Sequence, residues 1–115
     1  MKFELVLNLD GATYYGNIPD FFNCSSEQTE IFMLEDSDWP LLNADFIDPV
    51  NERCKTLLDY GDIDFFDVEQ CRLLNEWLSD RLSKNCRGRL EVLYKKLQEF
   101  AARAVTLGTG VIVEL

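Results

Sequence analysis

The chain has no histidine, so any chemistry its side chains perform must run on carboxylates, thiols or amines. Carboxylates are the abundant group. Glu35, Asp36, Asp38, Asp45, Asp48, Glu52, Asp59, Asp62, Asp64, Asp67 and Glu69 fall in one stretch that holds only Arg53 and Lys55 as counter-charges, a balance of −9. Oxygen ligands of this kind suit magnesium or calcium. The densest group, Asp62, Asp64, Asp67 and Glu69, breaks the calcium-loop pattern because Phe66 takes the third acidic position and the required glycine is missing. With residues 62–66 extended, Asp62 and Asp64 share one face while Asp67 caps a helix. The pair then reads as a solvated strand edge that discourages edge-to-edge pairing. A carboxylate metal-dependent enzyme around Asp62 and Asp64 stands as the alternative.

The thiols offer less. Cys24, Cys54, Cys71 and Cys86 are 30, 17 and 15 residues apart, a spacing that matches neither a zinc site nor a Cys-x-x-Cys redox motif. Cys54 and Cys71 fall on apolar helix stripes as small core residues. Cys24 and Cys86 lie in loops, where a disulfide is the less favoured reading and no activating base accompanies either thiol. Gly108-Thr109-Gly110 is no phosphate loop: no Gly-Lys-Ser/Thr follows, and the glycines end a helix instead of opening one. No catalytic residue, cofactor or metal ligand is assigned.

Aromatic residues are interleaved with the acids: Trp39, Phe46, Tyr60, Phe65 and Phe66. A rigid carboxylate array with aromatic anchors suits a small protein that covers a basic groove, since charge speeds encounter and aromatics supply the binding hot spots. On this reading Asp36, Asp38, Asp45, Asp62 and Asp64 supply the charge, and Trp39 and Phe65 are the anchors. The competing reading is a solvated acidic face with several of the aromatics in the core. The expected function is an inhibitor, not an enzyme, that occludes a basic and nucleic-acid-binding protein. Immunity proteins against nuclease toxins, and phage anti-CRISPR or DNA-mimic proteins, share this size and acidity. The likeness is one of physical type, carried by no family motif. A homo-oligomeric structural module is a further alternative.

Composition bounds these readings. A chain of 115 residues with 47% hydrophobic residues has room for one domain and a proper core, residues 1–115 together. Its net charge of −10 disfavours direct contact with nucleic acid or anionic membrane and favours basic protein partners. The charge is uneven: residues 1–80 carry −14 and residues 81–115 carry +4, the bases there being Arg81, Lys84, Arg87, Arg89, Lys95, Lys96 and Arg103. Mutual neutralisation of the two parts is the plain alternative to a partner surface. Lys2 and Glu4 interrupt any signal-peptide core and no apolar run approaches 18 residues, so a cytoplasmic chain with reduced thiols is expected.

The elements that must hold these residues follow from periodicity. Val68, Cys71, Leu74, Trp77, Leu78 and Leu82 recur at helical spacing, as do Leu90, Leu93, Tyr94, Leu97, Phe100, Ala101, Ala104 and Leu107. The short link 84–88 folds the two helices antiparallel. Asp67 with Gln70 forms a capping box at the start of the first. Phe3, Leu5, Leu7 and Leu9 alternate with Glu4, Val6, Asn8 and Asp10, and Asp10-Gly11 suits a two-residue turn. That predicts an N-terminal hairpin pairing Leu9 with Ala12, Leu7 with Tyr14, Leu5 with Gly16 and Phe3 with Ile18, ended by Pro19. Phe21 and Phe22 are expected under the sheet edge. Residues 29–34 fit a strand or a helical turn, with a strand preferred, and residues 36–47 read as an ordered loop. Asp48-Pro49 starts a helix with Val50, Cys54, Leu57 and Leu58 as its stripe and Gly61 as its end. Val111, Ile112 and Val113 put β-branched residues on both faces of residues 111–115, which predicts a strand covered on both sides or lying centrally in the sheet. The fold class is α+β, two-layer: an N-terminal β-hairpin plus the C-terminal strand in a small, mostly antiparallel sheet, packed against a long helical hairpin and one shorter helix.

Overall fold

Period-two alternation sends Phe3 and Leu5 to one side of strand β1 (Lys2–Val6) and Glu4 and Val6 to the other. The computed structural model describes residues 1–20 and 28–115; the expectations for Phe21, Phe22 and Cys24 lie outside them. Both neighbours of β1 come from far along the chain. It pairs antiparallel with β4 (Thr29–Met33) on one side and with the C-terminal β6 (Gly110–Glu114) on the other, so that Phe3 faces both Phe32 and Val113. A further strand, β5 (Ile63–Phe66), pairs antiparallel with the far side of β6. The sheet order is therefore β4-β1-β6-β5, with the C-terminal strand internal, one of the two placements its composition predicts.

The N-terminal hairpin register is corrected. The Asp10-Gly11 turn does form, with Gly11 at φ 72° and the Ala12 N–H donating to the Leu9 carbonyl at 3.2 Å. Beyond Leu9 and Ala12 the expected pairs do not form. Instead β2 (Thr13–Tyr15) and β3 (Ile18–Asp20) make a separate two-stranded ribbon that turns at Gly16-Asn17, with Gly16 at φ 66° and Pro19 inside β3 opposite Tyr14. Burial decides the contest. Between β4 and β6, Phe3 and Leu5 are completely shielded, whereas Tyr14 and Tyr15 are 56% and 84% exposed and would have left them open on a bare hairpin.

Two helices occupy the stretch expected as a loop and a single helix. α1 (Asp38–Asp45) and α2 (Ile47–Cys54) abut at Phe46. Pro40 and Pro49 each sit in a first turn, where the missing N–H has no helical acceptor to leave bare. α2 stops at Lys55, in the left-handed conformation at φ 57°, well before Gly61. Leu57 accordingly leaves the apolar stripe and is 85% exposed. Gly61, at φ 80°, turns the chain into β5 and donates its N–H to the Leu115 carbonyl at 2.8 Å.

The long pair is as its periodicity predicts: α3 (Val68–Leu82) and α4 (Gly88–Leu107), with Gly108 closing α4 at φ 71°. The capping box is complete, the Gln70 N–H donating to Asp67 Oδ1 at 2.9 Å and the Asp67 N–H to Gln70 Oε1 at 3.0 Å. Asp67→Ala is expected to cost about 1 kcal/mol of unfolding free energy, read from the urea midpoint. Helices cover one face of the sheet, where Phe3, Leu5, Phe66, Val111 and Val113 meet Leu74, Leu78, Leu93, Tyr94, Leu97 and Phe100. A smaller cluster, Val6, Phe65 and Ile112, lies on the other face under Leu9 and Ile18. Among the described residues no helix is long and apolar enough to cross a membrane.

Candidate functional site

α1 carries three of the residues expected to meet a partner, and the fold uses two of them internally. Asp38, its first residue, is completely buried. Arg89 at the start of α4 reaches it with a two-pronged contact, Nε to Oδ1 and Nη2 to Oδ2, each at 2.9 Å, and the Glu35 N–H donates to Oδ2 at 2.8 Å. The Arg89 hydrogen bonds hold the Asp38 carboxyl below the usual carboxylate range against the opposing effect of burial. Asp45, the last residue of α1, accepts from Arg81 Nε at 3.0 Å and from the Tyr94 hydroxyl at 2.6 Å. Burial, with Asp45 alongside, pushes the Tyr94 hydroxyl far above its ordinary value. Both carboxylates thus bolt α1 to the helical pair. Asp38 is corrected out of the partner-facing set, and Asp45 is half-buried with its oxygens engaged.

β5 tells a similar story. Asp64 Oδ1 accepts from the Phe65 N–H at 2.8 Å and Oδ2 from the Leu57 N–H at 3.1 Å, which ties down the loop between α2 and β5. Phe65 is only 8% exposed and belongs to the small outer-face cluster, so it is corrected from surface anchor to packing residue. Among the described residues no three acidic or cysteine side chains come together as ligands, and the metal alternative around Asp62 and Asp64 gains no third ligand. Cys54, Cys71 and Cys86 are free and buried. Burial pushes the Cys54 thiol up to about 11 and the Cys71 thiol to about 12, and raises Cys86 as well. Thiols so shifted carry little thiolate at neutral pH.

Of the residues expected to meet a partner, Asp36 and Asp62 are exposed and Trp39 is half-buried, and Asp36 and Trp39 share a cleft. The Trp39 ring meets that of Tyr60 with centroids 5.1 Å apart and planes tilted by 58°. The cleft, of about 410 Å³, is lined by Met1, Asp36, Trp39, Pro40 and Tyr60. Asp59 and Asp62 flank Tyr60 in the same loop, the Asp62 N–H donating to the Asp59 carbonyl at 3.1 Å and the Tyr60 N–H to Asp59 Oδ1 at 2.7 Å. Asp36, Asp59 and Asp62 are all exposed. Tyr60, 69% exposed, joins Trp39 as the second aromatic of this surface, where the sequence predicts Phe65. Tyr60 is visible in the sequence, but its contact with Trp39 depends on how the α2–β5 loop folds back over α1.

The bases tell the complementary story. Lys2, Arg53, Arg72, Arg81, Lys84, Arg89, Lys95, Lys96 and Arg103 each have a carboxylate within ion-pair distance. In the acidic stretch only Asp38, Asp45 and Glu69 are partners in such pairs among the described residues. The surplus negative charge therefore stays on solvated carboxylates, Asp36 and Asp62 among them. No protein-family model, curated protein or solved structure matches the chain.

Proposed function

We propose that the protein is a binding inhibitor that covers a basic, nucleic-acid-binding protein with the acidic surface around Trp39 and Tyr60. The observation that carries this reading is the cleft itself: two contacting aromatic rings, one of them largely exposed, with Asp36 in the wall, Asp59 and Asp62 flanking Tyr60 in its loop, and no lysine or arginine among the described residues that line it. Exposed aromatics supply the desolvated anchor of an interface, and unpaired carboxylates around them steer a cationic partner and fix its orientation. The partner-facing set is accordingly Asp36, Trp39, Asp62 and Tyr60, in place of the wider set expected from composition.

The test is capture from an extract of the source cells on the immobilised protein, followed by titration of whatever basic protein is retained. Reversing both Asp36→Lys and Asp62→Lys is expected to weaken that binding by about 10- to 100-fold, mostly through slower association, and raising salt from 0.05 to about 0.5 M should have a comparable effect. Affinity that is flat across that salt range, or that survives the double reversal, removes the reading.

A further inference from the structure

Building on the partner-binding reading, we infer that the Trp39–Tyr60 corner is a receptor for one arginine side chain of the partner. Three features of the corner converge on a planar cation. Both rings line the cleft, tilted by 58° to each other, and an aromatic ring attracts positive charge through its negative quadrupole. Asp36 in the same cleft has no ion pair among the described residues, so a carboxylate stands within the site uncommitted. The cleft's aromatic rings carry none of the protein's own side-chain cations: Arg89 and Lys96 lie over Phe32, and Lys96 also over Phe100, and among the described residues no lysine or arginine lies over Trp39 or Tyr60.

Arginine fits this arrangement better than lysine. A guanidinium can stack flat on an aromatic face while its edge N–H groups donate to a carboxylate beside the ring, and it sheds hydration more readily than an ammonium. The Arg89 site shows the same chemistry in use within this fold, with a guanidinium 5.8 Å from the Phe32 centroid and paired to Asp38. A partner that binds nucleic acid presents arginines for phosphate, so the corner would take one of the groups the partner needs for its own ligand.

The probe is Nα-acetyl-arginine amide, titrated into the full chain while the two tryptophan indole N–H signals are followed by NMR. Trp77, packed edge-on against Phe46 and Tyr94, is the internal control. The Trp39 signal should move saturably and the Trp77 signal should not. The lysine analogue should bind about two-fold or more weakly, and the neutral citrulline analogue about five-fold or more weakly, since a single exposed cation–π contact is a small effect. Tyr60→Ala and Asp36→Asn should each weaken arginine binding by about two- to five-fold. Both residues are exposed, so unchanged melting temperatures will show that the fold is intact. Equal shifts from citrulline, equal affinity for lysine, or no movement of Trp39 by about 50 mM arginine analogue overturns the assignment. The two proposals fail separately: a corner silent to arginine beside capture that still collapses on charge reversal removes only the arginine receptor, and the converse removes only the inhibitor.

Discussion

Arg89→Met is expected to lower the unfolding free energy by about 3–5 kcal/mol at pH 7, because it strips the counter-ion from a completely buried carboxylate. Methionine keeps most of the aliphatic stem and removes the guanidinium, so the loss reports the charge contacts more than the volume. For a 115-residue domain the whole stability is about 6–17 kcal/mol, so this one contact is a sizeable fraction of it. Urea unfolding at unchanged slope is the measurement. As comparison, Arg72→Met at the exposed pair with Glu69 should cost less than about 1 kcal/mol.

The pH dependence separates the charge contact from a packing loss. In the native chain the Asp38 carboxyl is held below its ordinary value, chiefly by Arg89. Its stabilisation is therefore complete above the unfolded value near pH 4 and is lost as pH falls through the lower folded value. In Arg89→Met only burial and the Glu35 N–H act on the group. Burial favours the protonated form, so the variant regains stability as the pH falls through the now-raised Asp38 value. The difference between native chain and variant should therefore narrow from pH 7 to about pH 3.5. A gap that is constant or widens in acid, or a loss under about 1 kcal/mol at pH 7, contradicts the account of Asp38.

Features set by neighbours in sequence were legible, and features set by distant packing were not. The Asp67–Gln70 capping box needs only residues three apart, and the two long helices need only their own periodicity. The split of charge along the chain was equally plain, yet its meaning was divided between mutual neutralisation and a partner surface. The fold contains both. Asp38 and Asp45 are matched by Arg89 and Arg81, whereas Asp36 and Asp62 have no such match among the described residues. Nothing in Asp36-Ser37-Asp38 tells which carboxylate turns inward; that is fixed by α1, a helix hidden behind Pro40. The N-terminal hairpin failed for the same reason. Asp10-Gly11 makes a local turn, but β1 takes the larger burial available between β4 and β6 and β2 is left to pair with β3.

Gly110→Ala should cost about 3 kcal/mol, the upper end of ordinary overpacking, although alanine is otherwise at home in a strand. Gly110 and Gly108 read from sequence as a joint helix stop. Only Gly108 has the left-handed backbone that explains a glycine. At Gly110 the reason is space: a Cβ would fall on the Phe65 ring and on the Phe66 carbonyl oxygen, both nearer than real side chains approach. The ring can rotate away, at the expense of its packing with Val6 and Ile112, but the carbonyl belongs to the β5 backbone and cannot. The melting temperature should fall by roughly 10–20 °C. In a Phe65→Ala background two of the three close contacts vanish, so the same substitution should cost about 1 kcal/mol less than in the native chain. Full additivity of the two changes would mean that the carbonyl alone excludes the methyl group. An unchanged melting temperature for Gly110→Ala would mean that β5 and β6 lie further apart than the ladder requires. Phe65 thereby has its explanation: it stands in the acidic stretch because it roofs the glycine that opens the internal strand β6, where an interface anchor would have to be exposed.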